Sequence, residues 1–132
     1  MNHANLTTTD VAALSGFFVS HFGFEQLDMR GQEAFAVLRG TDGFVLNLMK
    51  PSRDDGPYPS GFHVGFFVDS PRRVRAKQAE LAEAGFDTGE VQKLTRGGST
   101  TFYCNAPGGV LRRGRLLLSK RKGPGRMCAS GL

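Results

Sequence analysis

The chain has 132 residues, 39% of them hydrophobic, which suits one ordinary domain with one core and excludes a second independent domain of usual size. Its formal charge of +5 suggests an anionic partner, but residues 1–111 carry ten basic and twelve acidic residues, whereas residues 112–132 carry seven basic residues and no acid. No apolar run approaches the roughly 18 residues of a membrane span, and no secretory signal is recognisable. Cys104 and Cys128 are too few for a disulfide framework. We therefore expect a cytoplasmic protein without a membrane partner.

The first half of the chain predicts a strand, a helix and three further strands. Residues 2–9 alternate as in a strand, and Asp10 is a good N-cap for a helix that Gly23 ends. Three strand-like stretches follow, at residues 24–29, 34–38 and 44–49. The Asp42-Gly43 pair between the last two is a tight-turn signal, so we expect a hairpin there.

The same order repeats after a break rich in turn-forming residues at 51–60. A strand at 61–68 precedes Ser70 and Pro71, which are typical of a helix start, and Gly85 ends that helix. Three strand candidates follow, at residues 91–94, at residues 100–105 and from residue 110 onward. The order of elements therefore predicts two similar βαβββ halves.

The two halves superimpose at a shift of about 60 residues, which places His3 on His63. Five segments carry a family likeness: FFVSHFGF, DGFVLNLM, FHVGFFV, LAEAGF and TTFYCNAPGGVL. In this order they resemble single-chain members of the glyoxalase/bleomycin-resistance/dioxygenase group, the vicinal oxygen chelate superfamily, over roughly residues 1–111. The resemblance implies an α+β fold of two βαβββ modules forming a curved mixed sheet. The expected parts are module 1 at about 1–56, module 2 at about 57–118 and a basic, disordered tail at 119–132.

In that family the modules form a small-molecule cleft, members commonly pair as homodimers, and the enzymes hold a divalent metal, here Zn, Mn, Fe or Ni. The ligands come from the first and fourth strands of each module. Carried over by position, the first-strand ligands are His3 and His63, and the fourth-strand positions are Asn47 and Arg113. Imidazole suits such a metal, whereas the amide of Asn47 is a weak ligand and the guanidinium of Arg113 has no lone pair to donate. The resemblance thus implies a metal-dependent lineage with an incomplete metal site, in which the metal can be absent.

The resemblance also implies three substrate-binding candidates. Asn47 and Tyr103 offer hydrogen bonds to a bound molecule, and Arg113 favours an anionic one. Each has a plainer interpretation, since Asn47 can be an ordinary polar strand residue and Tyr103 a half-buried strand tyrosine. A lone strand histidine is more often structural than a ligand, but the equivalent places of His3 and His63 favour the metal interpretation for both.

Two groups of residues outside this set are expected to be structural. His21, near the end of the first helix, is expected to interact with the helix dipole or to pack at the surface. The chain has eleven Phe and no Trp, and most of these rings are expected in the core, with one or two lining a cleft.

Three functions remain open at this stage. The first is a metal-dependent isomerase, lyase, thiol transferase or ring-cleaving dioxygenase that uses His3 and His63. The second is a metal-free protein that binds or sequesters an antibiotic-like small molecule. The third and weakest is an interaction module whose basic tail contacts nucleic acid, a partner that we do not expect because such tails are usually solvated arms.

The sequence changes character after Leu111. In the resembling family APGGVL continues as something like VEV, whereas here it continues as RRGRLLLSKRKGPGRMCASGL. The RRGR run can be encoded CGN-CGN-GGN-CGN, and reading it one base later gives GNC-GNG-GNC, which permits VEV. We hypothesise that a one-base shift replaced a glutamate at position 113.

Overall fold

The computed structural model describes residues 2–52, 62–93 and 100–108, together with the backbone of a strand at 115–120. Each half of the chain forms a strand, a helix and three strands, as the sequence predicted. The elements in chain order are β1 (His3–Thr7), α1 (Val11–Phe22), β2 (Glu25–Arg30), β3 (Phe35–Arg39), β4 (Val45–Met49), β5 (His63–Val68), α2 (Pro71–Glu83), β6 (Gln92–Lys93), β7 (Thr100–Asn105) and β8 (Arg115–Lys120). Neither helix in these ranges is long and apolar enough to cross a bilayer.

Each module folds its four strands into one sheet, with its first strand beside its last. The strand orders are β1-β4-β3-β2 and β5-β8-β7-β6. In both sheets the first and last strands run parallel, and the remaining neighbours are antiparallel. A parallel pair needs a crossover connection, which the helix and the two strands between them provide. The predicted α+β fold of two repeated βαβββ modules is confirmed.

Both helices begin at the caps that the sequence predicted. The Asp10 side chain accepts a hydrogen bond from the backbone N–H of Ala13, and the Ser70 side chain accepts one from Arg73. α1 ends where Gly23 takes a left-handed φ of 69°. The helix bounds therefore follow from local sequence.

Each sheet has one buried apolar face and one more exposed face that mixes polar with half-buried apolar residues, because successive strand residues point to opposite sides. In module 1, Leu6 of β1 is buried, as are Leu46 and Leu48 of β4. Asn5, the residue before Leu6, is exposed on the opposite side of the sheet. The apolar faces meet the helices, and the faces that carry the alternate residues are called the polar faces below.

A cluster of phenylalanines joins the two modules into one core. Phe22 of α1 stacks on Phe66 of β5, with ring centroids 4.7 Å apart, and Phe18 contacts the same ring at 6.1 Å. Phe86, which follows α2, meets Phe17 edge to face at 4.9 Å. Burying one such side chain stabilises a fold by about 1.5–3 kcal/mol, so these rings dominate the contact between modules.

A charged cluster beside this core also joins α1 to α2. His21 Nδ1 lies 2.7 Å from Glu80 Oε2, and Lys77 Nζ donates to the backbone carbonyl of His21 and, at 3.1 Å, to Glu80. The His21 side chain is 17% exposed. His21 therefore pairs with the other module, a role that the sequence did not predict.

The Glu80 pairing predicts a pH-dependent contribution to stability. Burial acts to raise the pKa of Glu80, but its hydrogen bonds with His21 and Lys77 outweigh burial and lower the pKa from 4.5. A lowered carboxyl pKa stabilises the fold above the unfolded-state pKa, and this contribution is lost as the pH falls through the folded-state value. We expect Glu80→Gln to lower the urea midpoint at about pH 7, and the difference from the parent chain to vanish below about pH 4.

Glu83→Gln is the control for this prediction, because Glu83 is an exposed carboxyl on the same helix. It should leave the urea midpoint unchanged across the same pH range. A Glu80→Gln effect that persists undiminished at about pH 3 would contradict the electrostatic origin.

The turn after β7 packs against the residues that precede α1. A Cβ built on Gly108, whose φ is 108°, would lie 1.8 Å from Thr8 Oγ1. Thr8 is fully buried, and its Oγ1 accepts a hydrogen bond from the backbone N–H of Asp10. Gly108 is therefore required by close approach as well as by its backbone conformation.

We predict that Gly108→Ala destabilises the chain more than Gly85→Ala does. Gly85 has a similar left-handed φ of 93° but open space around the added carbon, so its variant carries the backbone strain alone. The expected difference in the free energy of unfolding is at least about 1 kcal/mol, measured by urea titration. Equal losses in the two variants would mean that Thr8 moves aside without cost.

Two predicted regions fall largely outside the described residues. The break at 51–60 is described only at its first two positions. β8 ends at Lys120, two residues into the segment predicted as the basic tail, and the rest of that tail lies outside the described residues.

Candidate functional site

His3 and His63 occupy equivalent backbone positions. His3 is the first residue of β1 and pairs with Val45, the first residue of β4. His63 is the first residue of β5 and pairs with Arg115, the first residue of β8. Both histidines are exposed. The register thus agrees with the predicted alignment of the two histidines, whereas their role as metal ligands stays a prediction.

Four side chains form a polar group at the start of β1 and the middle of β4. His3 Nδ1 lies 2.7 Å from Asn2 Oδ1, and Asn47 Nδ2 donates to Asn5 Oδ1 at 2.9 Å. An amide oxygen only accepts, so the tautomer that fits this contact carries its hydrogen on Nδ1 of His3 and has a lone pair on Nε2. The Asn5–Asn47 pair leaves one amide Nδ2 and one amide Oδ1 for a ligand. The structure therefore brings Asn47 and His3 to the same face of module 1, as the alternation of β1 and its register with β4 require.

On module 2 the aromatic side chain nearest His63 among the described residues is Tyr103 of β7, which occupies the position of Val37 in module 1. The ring centroids of His63 and Tyr103 are 6.1 Å apart and their planes are nearly perpendicular, at 88°. A cavity of about 250 Å³ adjoins Tyr103 and is also lined by Asp87, Gly89 and Asn105. Asn105 Nδ2 donates to Asp87 Oδ2 at 2.8 Å. The side chains that line this cavity are a carboxylate, an amide and a phenol.

Sequence reasoning did not select Asp87 or Asn105. Asn105 lies two residues after Tyr103 on β7, so strand alternation places both on one face, and this signal was available. Asp87 follows α2 in a segment that extends the edge of the sheet, since its carbonyl accepts from Asn105 N at 2.9 Å and Gly89 N donates to Tyr103 O at 2.7 Å. That pairing is non-local and has no signal in the sequence.

The strand register separates Asn47 from Arg113. Two residues after the first-strand histidine of each module, Asn5 pairs with Asn47 and Gly65 pairs with Leu117. The backbone position that corresponds to Asn47 in module 2 is therefore Leu117, four residues beyond Arg113. Arg113 itself lies outside the described residues, so its predicted places in the metal site and in substrate binding stay predictions.

The described part of the chain contains no group of three His, Cys, Asp or Glu side chains arranged to hold a metal ion. Transition-metal sites in proteins normally use three or four such donors. His3, His63 and the weak ligand Asn47 are too few, so the donors in the described ranges do not by themselves fit a resident divalent metal.

Cys104 lies next to this site but on the other side of β7. Burial, together with the nearby charge of Asp87, raises the pKa of its thiol to about 11. At neutral pH the thiol is protonated and is a poor nucleophile. Cys104 is therefore a core residue and takes no part in the chemistry of the polar face.

Two βαβββ modules in one chain, each with a histidine at the start of its first strand, define a paired-module α+β protein. The chain belongs to the Glyoxalase/Bleomycin resistance protein/Dioxygenase superfamily, whose family model matches residues 1–112. A search of curated proteins gave no match.

Solved structures show the same fold. A possible glyoxalase from Bacillus cereus is 35% identical, with a TM-score of 0.74 over 92% of this chain and 97% of that chain. The fosfomycin resistance protein FosX from Listeria monocytogenes has a TM-score of 0.72 at 13% identity, over 92% and 93% of the two chains. Lactoylglutathione lyase from Agrobacterium tumefaciens has a TM-score of 0.70 at 18% identity, over 91% and 92%. At these two lower identities the likeness shows the fold alone.

Proposed function

We propose that this chain takes a small oxygen-bearing molecule on the polar faces of its two sheets, and that it descends from metal-dependent enzymes but has an incomplete metal site. The observation that carries the proposal is the equivalent placement of His3 and His63, each at the first residue of its module's first strand and each beside further polar groups. Equivalent imidazoles on a repeated scaffold are expected where both modules contribute to one ligand.

The side chains of module 1 supply acceptors and donors in a fixed arrangement. Nε2 of His3 accepts a hydrogen bond, or a proton, from a bound hydroxyl group, because its other nitrogen is held by Asn2. The Asn5–Asn47 pair orients an adjacent carbonyl or hydroxyl through the amide groups that it leaves open. In module 2, the cavity at Tyr103 and Asp87 suits a second polar group of the same molecule.

The similar structures favour an enzyme over a sequestering protein. The structure that is 35% identical is described as a possible glyoxalase. Another structure of the same fold is described as a lactoylglutathione lyase. We infer a chemically active lineage, and we extend the proposal to a homodimer in the cytoplasm, as the family resemblance implies.

S-lactoylglutathione, a compound of the class that the lyase name indicates, is a suitable probe for the proposed face. In an NMR titration we expect its chemical-shift changes to concentrate at His3, Asn47, His63 and Tyr103. The double variant His3→Ala/His63→Ala should weaken binding by about tenfold or more, since it removes a polar partner from each module. Glu83→Gln should bind as the parent chain does.

Shift changes confined to the helices, or binding that the double histidine variant leaves unchanged, would contradict the proposed face. The histidines are exposed, so the variant is expected to fold, and its unfolding midpoint checks this.

The incomplete metal site makes a separate prediction. After dialysis against Zn, Mn, Fe or Ni and then against buffer, the parent chain should retain well under one metal ion per chain, measured by plasma mass spectrometry. The family resemblance predicts that Arg113→Glu restores binding, whereas the strand register predicts that Leu117→Glu does. The variant that gains a metal identifies the position of the missing carboxylate.

Arg112→Glu is the control, because it makes the same change of charge as Arg113→Glu one residue earlier. It should gain no metal. A further change of His63→Ala in the gaining variant should abolish the metal if the imidazole is a ligand. One tightly held metal ion in the parent chain would show that the site is already complete.

The end of the family match at residue 112 supports the hypothesis of a one-base shift. The same place marks the change to a sequence without acidic residues. The coding sequence decides the question, since an alternative frame that reads through VEV supports the shift and the lack of one rejects it.

A further inference from the structure

A second cavity lies on the helix side of the fold, between the end of α1 and one face of α2. Its volume is about 450 Å³, within the usual range for small-molecule sites. Its walls combine apolar and charged side chains, among them Val19, Val68, Ala76, Arg73, Lys77 and Glu80. None of these residues belongs to the polar faces described above.

The charges around this cavity are not equally available to a ligand. Lys77 Nζ is already engaged by the His21 carbonyl and by both oxygens of Glu80, at 3.3 and 3.1 Å. Arg73 is different, because the only ion pair of its side chain among the described residues is with Asp69 Oδ1, which lies 3.4 Å from its Nε. The terminal nitrogens of the Arg73 guanidinium are therefore left for a planar anion such as a carboxylate.

The start of α2 strengthens the preference for an anion. Arg73 is the third residue of the helix, after the cap at Ser70 and the proline at Pro71. The backbone N–H groups of the first turn carry the positive end of the helix dipole. The dipole of α2 therefore adds to the positive charge of Arg73 at this end of the helix.

The apolar wall requires a ligand with an apolar body. Val19 is 39% exposed, and in the described ranges Leu27 is the only other large apolar residue that is exposed. It lies on α1, in module 1, and faces the same cavity as Val68 of module 2. A ligand that covers Val19 removes apolar surface from water and also contacts both modules.

We propose that this cavity binds a small organic carboxylate, whose carboxylate group meets Arg73 and whose apolar body covers the exposed Val19 next to the buried Val68. Such a ligand contacts α1 and α2 together, so it binds the docked modules and stabilises them by mass action. The site does not depend on the function proposed for the polar faces, and it is separate from them.

Benzoate is a probe that combines a carboxylate with an apolar ring, and benzamide is its uncharged match. In an NMR titration we expect benzoate to shift the signals of Val19, Val68 and Ala76, and benzamide to bind at least about tenfold more weakly. Saturating benzoate should raise the unfolding temperature of the parent chain. The shifts should leave His3 and His63 unaffected.

Arg73→Met should weaken benzoate binding by about tenfold, because it removes the charged contact and keeps the apolar stem. Arg75→Met is the matched control, since Arg75 is an exposed arginine of the same helix that does not line the cavity. It makes the same change in net charge and should leave the affinity nearly unchanged. If both variants weaken benzoate binding equally, the loss reflects only the change in net charge, and the proposed site is wrong.

Ala76→Leu provides a test that leaves Arg73 in place. Leucine keeps a good helix former at this exposed position and fills part of the cavity, so it should abolish the benzoate shifts without lowering the unfolding temperature of the free protein. Unchanged benzoate binding in Ala76→Leu, or benzamide binding as tight as that of benzoate, would refute the proposal.

Discussion

The stacking of Phe22 on Phe66 is the contact on which the arrangement of the molecule depends. The first ring belongs to the helix of module 1 and the second to the first strand of module 2, so the two apolar faces share one core. The helices and the apolar faces of both sheets are packed together in this core. The opposite faces of both sheets are therefore the ones available to polar residues. The positions of His3 and His63 on those faces follow from this division.

The pairing of first and last strands explains how distant residues meet at the candidate site. Asn5 and Asn47 are far apart in the chain but adjacent in the parallel pair of β1 and β4, close enough for a hydrogen bond of 2.9 Å. In module 2 the segment that carries Asp87 lies along β7, and this brings its carboxylate to Asn105. Both groups are products of sheet topology, with local sequence supplying only the alternation that turns each side chain to the polar face.

Local signals predicted much of the fold. The caps at Asp10 and Ser70 and the left-handed Gly23 act within a few residues, so the helix bounds could be read from the chain. The repeated order of strands and helices predicted the two modules, and their superposition aligned the two histidines. Pairings between modules carry no such signal, which is why the partner of His21 was missed.

The fourth strand of module 2 shows the same limit in a different form. The family resemblance aligned Arg113 with Asn47 by position along the chain, whereas the backbone register of β8 against β5 aligns Leu117. A count along the chain gives the right position only if the turn before the strand has the same length in both modules. Residue type alone could not reveal that difference.

The first-to-last strand pairing also sets an order of assembly during synthesis. β1 finds its neighbour once residue 49 has left the ribosome, whereas β5 waits for residues 115–120, which form β8. Until those residues are synthesised, the nascent β5 has no strand beside it. Phe22 of α1 is already available at that stage to cover Phe66. Translation that stops before β8 would therefore leave an unpaired strand edge on β5, which is open to aggregation.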